Sequence, residues 1–422
     1  MPSAFVFYHY LYPDEVVSSI HVSELCSGLV ERGWTVTAFP CNRGCRDETI
    51  KYPPSGRWKG VNISRIWRLP LRQASGLGRV LNACWMLTRW ASLAVRKHNA
   101  PDVLIVGTDP ILSVCVAPFW KLFKPKTKIV HWCFDLYPEA IFADGLLRET
   151  SSAGKFLAWA VRKSYAACDA IVDIGSCMRE RLSRYQANTQ TETLVPWALV
   201  EPNEPLEIIE KEREEVFGGA RYGLMYSGNF GRAHSYGELL ELVRLLRDDE
   251  IQLALSVRGN RVLELQQAVG NEDTNIHFLP FVPPEQLESR LRSADVHVVS
   301  LQQEWTGMVV PSKFFGALAI GRPVLFCGSE RSAVAKWIKE FEIGWVLPPG
   351  GAKETAEELR NFLKSPITMK SMRDRCHRVY QEHFSKLSVQ NQWHKLLTSL
   401  VISPAEDLVR MSDSDHIMAD VP

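Results

Sequence analysis

Residues 309–326, VVPSKFFGALAIGRPVLF, decide the fold, because they read as a loop, a short helix and a buried strand in quick succession. Pro311 stops what precedes it, Ser312 is a good N-cap, and Phe314, Phe315, Leu318 and Ala319 fall at the spacing of one apolar helical face. Gly321 fits a C-terminal stop, and Pro323-Val324-Leu325-Phe326 reads as a strand entering a core. A helix N-terminus presents unpaired backbone N–H groups and partial positive charge, so a diphosphate can sit there with Lys313 alongside as a point charge. On these residues alone, an ordinary β-α-β connection with a solvated lysine is the reading they favour.

Outward from this stretch, strand and helix continue to alternate. Toward the N-terminus lie expected strands at 223–227, 251–257, 276–279 and 296–300, with helices at 235–246 and 284–292. Toward the C-terminus a strand at 344–347 precedes a run of helices over 353–401. Residues 201–215 are rich in Pro and Glu and read as a linker. Before them, strands at 4–8, 34–39, 102–107, 128–132 and 170–174 and helices at 20–32, 80–95 and 156–167 form a second β-α series. The first turn lacks G-x-G-x-x-G, which argues against a nicotinamide or flavin. The expectation is an α/β chain of two doubly wound, Rossmann-like domains, 1–197 and 220–385, joined by a linker at 198–219. A helix at 386–410 packs back on the first domain, and 411–422 form a disordered tail. Two such domains turn their strand C-termini toward each other, so ligands belong in the cleft between them.

At 422 residues the chain exceeds what one core usually serves, and its formal charge of +1 argues against a nucleic-acid partner. The ten cysteines are scattered, with only Cys41 and Cys45 close together, and read as reduced thiols in a cytoplasmic protein. No secretory leader pattern opens the chain. The longest apolar run, 103–120, is broken by Asp109, Pro110 and Pro118, too short for a membrane-spanning helix of ~20 residues. Between Thr49 and Pro101 there is no acid, while bases such as Arg68, Arg72, Arg79 and Arg89 interleave with Trp58, Trp67, Trp85 and Trp90. That pattern over 57–97 suits a peripheral contact with an anionic bilayer or an apolar acceptor; it also suits core tryptophans between solvated arginines.

YPDEVVSSIH (12–21), FDLYPEA (134–140), YSGNFGRAH (226–234), FLPFVPPEQL (278–287), SADVHVVSL (293–301), the opening stretch and IGWVLPPG (343–350) stand in the order seen in one family. Together they resemble the retaining GT-B glycosyltransferases of the glycosyltransferase family 4-like type, in the branch that builds bacterial surface polysaccharides and lipid-linked sugars. The resemblance implies that the second domain holds a nucleoside diphosphate sugar, here a UDP-sugar, and that the first presents a small-molecule or lipid-linked acceptor. It implies no metal and no further cofactor. Asp413-Ser414-Asp415 matches a metal motif of another glycosyltransferase fold by chance.

Carried over by motif, Arg232 is the phosphate-binding arginine and Lys313 shares its task of neutralising the leaving diphosphate. Gly228, Asn229, Phe230 and Gly231 shape the turn before Arg232. Arg258, Gly259, Phe281 and Val282 border the base, and Gly307, Val310, Pro311 and Ser312 border the donor's sugar and phosphates. On the acceptor side stand Asp135, which orients or deprotonates the acceptor or else makes a turn contact, with Tyr137 and Glu139. His9, Tyr12 and Asp14 of the first turn are candidates of the same kind, although His9 and His131 suit core or rim positions better than catalysis. The glutamates that many members carry around the central stretch are replaced by Met308 and Gly316. Rival readings are an epimerase or hydrolase of the same fold and a non-catalytic sugar-nucleotide sensor.

Overall fold

A computed structural model describes residues 1–96, 100–185 and 189–402. The first sheet takes strands β1 (Ser3–Phe7), β2 (Thr35–Ala38), β3 (Ser55–Trp58), β4 (Val61–Ser64), β5 (Val103–Val106), β6 (Lys128–Trp132), β7 (Ala170–Asp173) and β8 (Gln190–Thr193) in the order β3-β4-β2-β1-β5-β6-β7-β8. All neighbours are parallel except the β3–β4 hairpin. That hairpin, absent from the sequence reading, turns at Lys59 and Gly60, both at positive φ, which matches the twist of paired strands. The second sheet is fully parallel: β9 (Tyr222–Asn229), β10 (Ile251–Arg258), β11 (Ile276–Phe278), β12 (Val296–Ser300), β13 (Val324–Cys327) and β14 (Gly344–Leu347), ordered β11-β10-β9-β12-β13-β14. In each sheet the order reverses beside the first strand, and the C-terminal strand ends at that point face the other domain. The expected architecture of two doubly wound domains is the one found.

The chain crosses between the domains twice, and the crossings are tied together. Tyr380, in a short π-helical turn (Tyr380–Phe384), donates its hydroxyl to the Glu201 carboxylate and accepts from the Ala198 N–H at 2.9 Å. Glu201 also accepts from the Lys386 N–H at 2.8 Å. Helix Lys386–Val401 then lies on the first domain, where Trp393, fully buried, meets the Trp132 ring edge-on at 5.0 Å between centroids. Gln390 donates to the Glu24 carbonyl at 2.9 Å, and Trp34 donates to His394 at 3.1 Å. Residues 403–410 of the expected helix and the tail at 411–422, with Asp413-Ser414-Asp415, lie outside the described residues.

The acid-free segment divides. Its helix, Gly76–Ala94, buries Asn82, Met86, Trp90 and Leu93 and leaves Leu77, Val80 and Leu81 in solvent, so its apolar residues occupy two faces. Trp67 is exposed and Trp85 half-buried beside it. Arg68 departs from the expected solvated base: it is fully buried, bonded to the Tyr10 hydroxyl at 3.1 Å and paired with Glu48 at 2.5 Å. All ten cysteines are free thiols.

If the last helix completes the first domain's core, Trp393→Ala removes a fully buried indole and should cost about 3–5 kcal/mol of stability. Urea unfolding followed by tryptophan fluorescence measures this; an unmoved midpoint would show that the helix is only docked.

Candidate active site

Lys313 opens the short helix Lys313–Ala319 beside the end of β9. Its ammonium donates to the Asn229 carbonyl at 2.8 Å and lies 5.1 Å from the Tyr226 ring centroid. Among the described residues no carboxylate pairs with it, and burial lowers its pKa from 10.5 to about 8. Gly228 makes the approach possible: at φ 128° it carries no side chain, and a Cβ there would stand 2.8 Å from Lys313 Cε. Ser312 is not the expected cap, since it has helical dihedrals and its hydroxyl bonds no backbone N–H. With only seven residues in the helix, the local positive potential comes chiefly from the ammonium.

Two cavities, of about 240 and 670 Å³, open along the seam and share Asn229, Arg258 and Ser312. The larger falls within the size of small-molecule sites, roughly 300–1,000 Å³, and the smaller just below it. The smaller is largely apolar, walled by Phe281, Leu287, Leu291 and Val298, with Gly228 and Lys313 at its inner end. Arg258 stacks over Phe281, its guanidinium carbon 4.1 Å from the ring centroid. Gly316 also faces this cavity, and an added Cβ would meet nothing within 4 Å. Met308, at the other replaced glutamate position, is buried, and its carbonyl accepts from the Leu136 N–H at 2.9 Å across the seam.

The larger cavity gathers Asp135, Tyr137, Val310 and a residue that the sequence reading passed over, Asp109. Asp135 stands beyond the end of β6, and burial followed by the Asp109 charge raises its pKa to about 6. Asp109 lies 3.3 Å from His9 Nδ1. Burial by itself would lower the pKa of His9, but the Asp109 and Cys41 side chains outweigh it and raise it to about 9. His9 is 3 % exposed beneath the cavity, where it supports Asp109 and does not line either cavity. His131 is a core residue: its Nδ1 lies 2.9 Å from the Val106 carbonyl, and burial lowers its pKa to about 4.

Several sequence candidates stand off both cavities. Arg232 reaches across the seam to Asp144 at 2.8 Å, so an acid of the first domain holds the expected phosphate ligand. Glu139 is buried and accepts from the Tyr185 hydroxyl at 2.6 Å. Asp14 accepts from the Val16 and Cys45 N–H groups, and Tyr12 stacks on Trp58. Phe230 and Val282 are buried in packing, Gly231 and Pro311 lie behind the lining, and Gly259 takes φ 140° against the Phe230 carbonyl. Gly307 backs onto Cys177 of the first domain. Among the described residues no cluster of His, Cys, Asp and Glu could hold a metal ion.

Residues 208–379 match the family described as glycosyl transferases group 1, and residues 18–197 match the glycosyl transferase 4-like domain. The chain belongs to the GT-B glycosyltransferases. This glycosyltransferase is 25% identical to the probable glycosyltransferase WbjE of Pseudomonas aeruginosa over 284 residues, 65% of this chain and 68% of that one. In fold it is similar to sucrose-phosphate synthase from Thermosynechococcus elongatus (TM-score 0.70, 16% identity, covering 95% of this chain and 99% of that one). It is also similar to HepE of Anabaena in complex with UDP and glucose (TM-score 0.66, 10% identity, covering 94% and 100%).

Two groups give the glycosyltransferase a pH signature. Asp135 gains its negative charge as pH rises through about 6, and Lys313 loses its positive charge as pH rises through about 8. kcat/KM is expected to be bell-shaped between those limbs. Lys313→Arg should remove the alkaline limb and Asp135→Asn the acid one; a wild-type profile flat from about pH 5 to 9 would exclude both groups.

Proposed function

We propose that this glycosyltransferase moves a sugar from a nucleoside diphosphate sugar, a UDP-sugar foremost, to a hydroxyl or amine of a small-molecule or lipid-linked acceptor. The observation that carries the reading is Lys313: a half-buried ammonium without a counter-charge among the described residues, lining an apolar slot that shares its neighbour Ser312 with a cavity holding two carboxylates. Desolvating a cation is unfavourable unless an anion replaces the lost water, and a departing diphosphate does so as the glycosidic bond breaks. Phe281 and its apolar neighbours suit a planar base, and the HepE complexes with UDP and UDP-glucose favour uridine. On this reading Asp135 and Asp109, which line the larger cavity, accept a hydrogen bond from the acceptor. Retention of configuration rests on the family resemblance, and independence of metal on the charge that Lys313 and Arg258 supply in place of an ion.

UDP release from UDP-sugars, measured in EDTA with and without acceptor, tests this. Acceptor-dependent release is expected, cut roughly 100-fold or more in Lys313→Ala, about 3 kcal/mol of barrier. Release equal without acceptor would indicate a hydrolase, and binding without release a sensor.

We further propose a peripheral contact with the cytoplasmic face of an anionic membrane. Helices Gly76–Ala94, Ala117–Phe123 and Ser152–Ala166 pack side by side, and their outer faces carry Leu77, Val80, Leu122, Phe123, Phe156 and Trp159 in solvent. Residues 110–134 and 150–168 contain no acid, like the Thr49–Pro101 segment, although Asp169 pairs with Lys121 and Lys128. Each basic residue near an anionic surface contributes about 1 kcal/mol. No helix among the described residues is long and apolar enough to cross a membrane. Flotation with phosphatidylglycerol vesicles should show binding that fades in high salt and in an Arg72/Arg79/Arg89→Glu variant, Arg68 being left intact because it is structural. Absence of binding at low salt would point to a soluble acceptor.

A further inference from the structure

Arg46 stands on the irregular loop between β2 and β3, a position that carries no periodic or motif signal. The loop is pinned on both sides of it. The Cys45 N–H donates to the Asp14 carboxylate at 2.7 Å, and Asp14 is 8 % exposed. Two residues beyond Arg46, Glu48 pairs with buried Arg68 and accepts from the Gln73 N–H at 2.8 Å. The backbone is thus fixed while the Arg46 side chain, among the described residues, joins no hydrogen bond or ion pair. It lines the larger cavity together with Arg258, which comes from the other domain and is equally without a carboxylate partner. Burial and the Arg46 charge both lower the pKa of Arg258. Two guanidiniums facing each other across a seam repel unless an anion lies between them. Of the carboxylates in the same cavity, Asp109 is held by His9, and Asp135 pairs with neither arginine.

We propose that Arg46 is a donor-binding residue supplied by the first domain: with Arg258 and Lys313 it grips the diphosphate, so that one anion is held from both sides of the cleft. Asp14 and Glu48 act as positioning residues for it. The anion turns a repulsive contact between the domains into an attractive one, which ties donor binding to a closed cleft. Arg232 is paired with Asp144 and lines neither cavity. The inference rests on the nucleotide-sugar reading above.

Calorimetric titration of the full chain with UDP and with uridine, without acceptor, tests it. Arg46→Ala should weaken UDP binding tenfold or more and leave uridine binding unchanged, Arg46→Lys should recover part of the loss, and Asp14→Asn should show a smaller loss in the same direction. Wild-type affinity for UDP in Arg46→Ala would overturn the proposal alone. So would an unchanged UDP affinity with a raised KM for the acceptor, which would assign Arg46 to an acceptor anion. A wild-type protein that binds none of UDP, GDP and ADP would overturn the donor reading and the proposal with it.

Discussion

The double crossing at Tyr380 is the constraint on which the site depends. The cleft residues are contributed by two sheets that share no strand pairing, so their spacing is set by whatever fixes one domain against the other. Tyr380 bonds the outgoing connection at Ala198 and Glu201, and Glu201 in turn holds the start of the returning helix. Trp197, in the same connection, donates to Glu24 at 2.5 Å, and Glu24 pairs with Lys386 at 3.2 Å. A buried polar knot of this kind is costly to break, because each group left alone would be unsatisfied. It fixes one domain against the other where the chain crosses between them, with the C-terminal strand ends opposed.

Charge in the cleft is divided between the two cavities. Arg258 lines both, Lys313 lines the smaller and Arg46 the larger, and the carboxylates Asp109 and Asp135 lie in the larger cavity on the first domain. The histidines near the seam add little charge: His234 and His297 are both lowered to about 4, chiefly by burial, with their ring nitrogens bonded to the Ser300 and Leu291 carbonyls. His9 is the exception, since the neighbouring Asp109 carboxylate favours its protonated form. Electrostatic contrast in a partly dry cleft is where preorganised charge acts most strongly on a breaking bond.

The sequence made legible those parts whose cause is local. Strands such as Val103–Val106, Val296–Ser300 and Val324–Cys327 are buried along their whole length and read as apolar runs between turns. The edge strand Gln190–Thr193 is polar, and the hairpin Ser55–Ser64 is short and half-solvated, so neither gave a periodic signal. In the site, Lys313, Asn229, Arg258 and Asp135 sit at or just beyond element ends, where motif and topology coincide. Asp109 was visible only as a break in an apolar run, and Arg46 not at all, because what places them is a partner far away in the chain. Arg232 and Arg68 show the converse: their basic character is plain in sequence, but Asp144 and Glu48 decide where they point.

The last helix has a consequence for how the molecule is made. Trp132 is laid down early in synthesis, yet the ring that covers it belongs to Trp393, near the end of the described chain. At about 5–20 residues per second, the intervening stretch takes roughly 10 to 50 s to emerge from a ribosome. Once residue 347 has emerged the second domain has all its strands, while the first still keeps an uncovered aromatic face beside Trp34 and Trp197. The domain that begins the chain is thus the last to be completed. A nascent chain stalled between residues 380 and 386 would carry a finished second domain attached to an adhesive, half-built first one, the kind of species that chaperones retain and proteases clear.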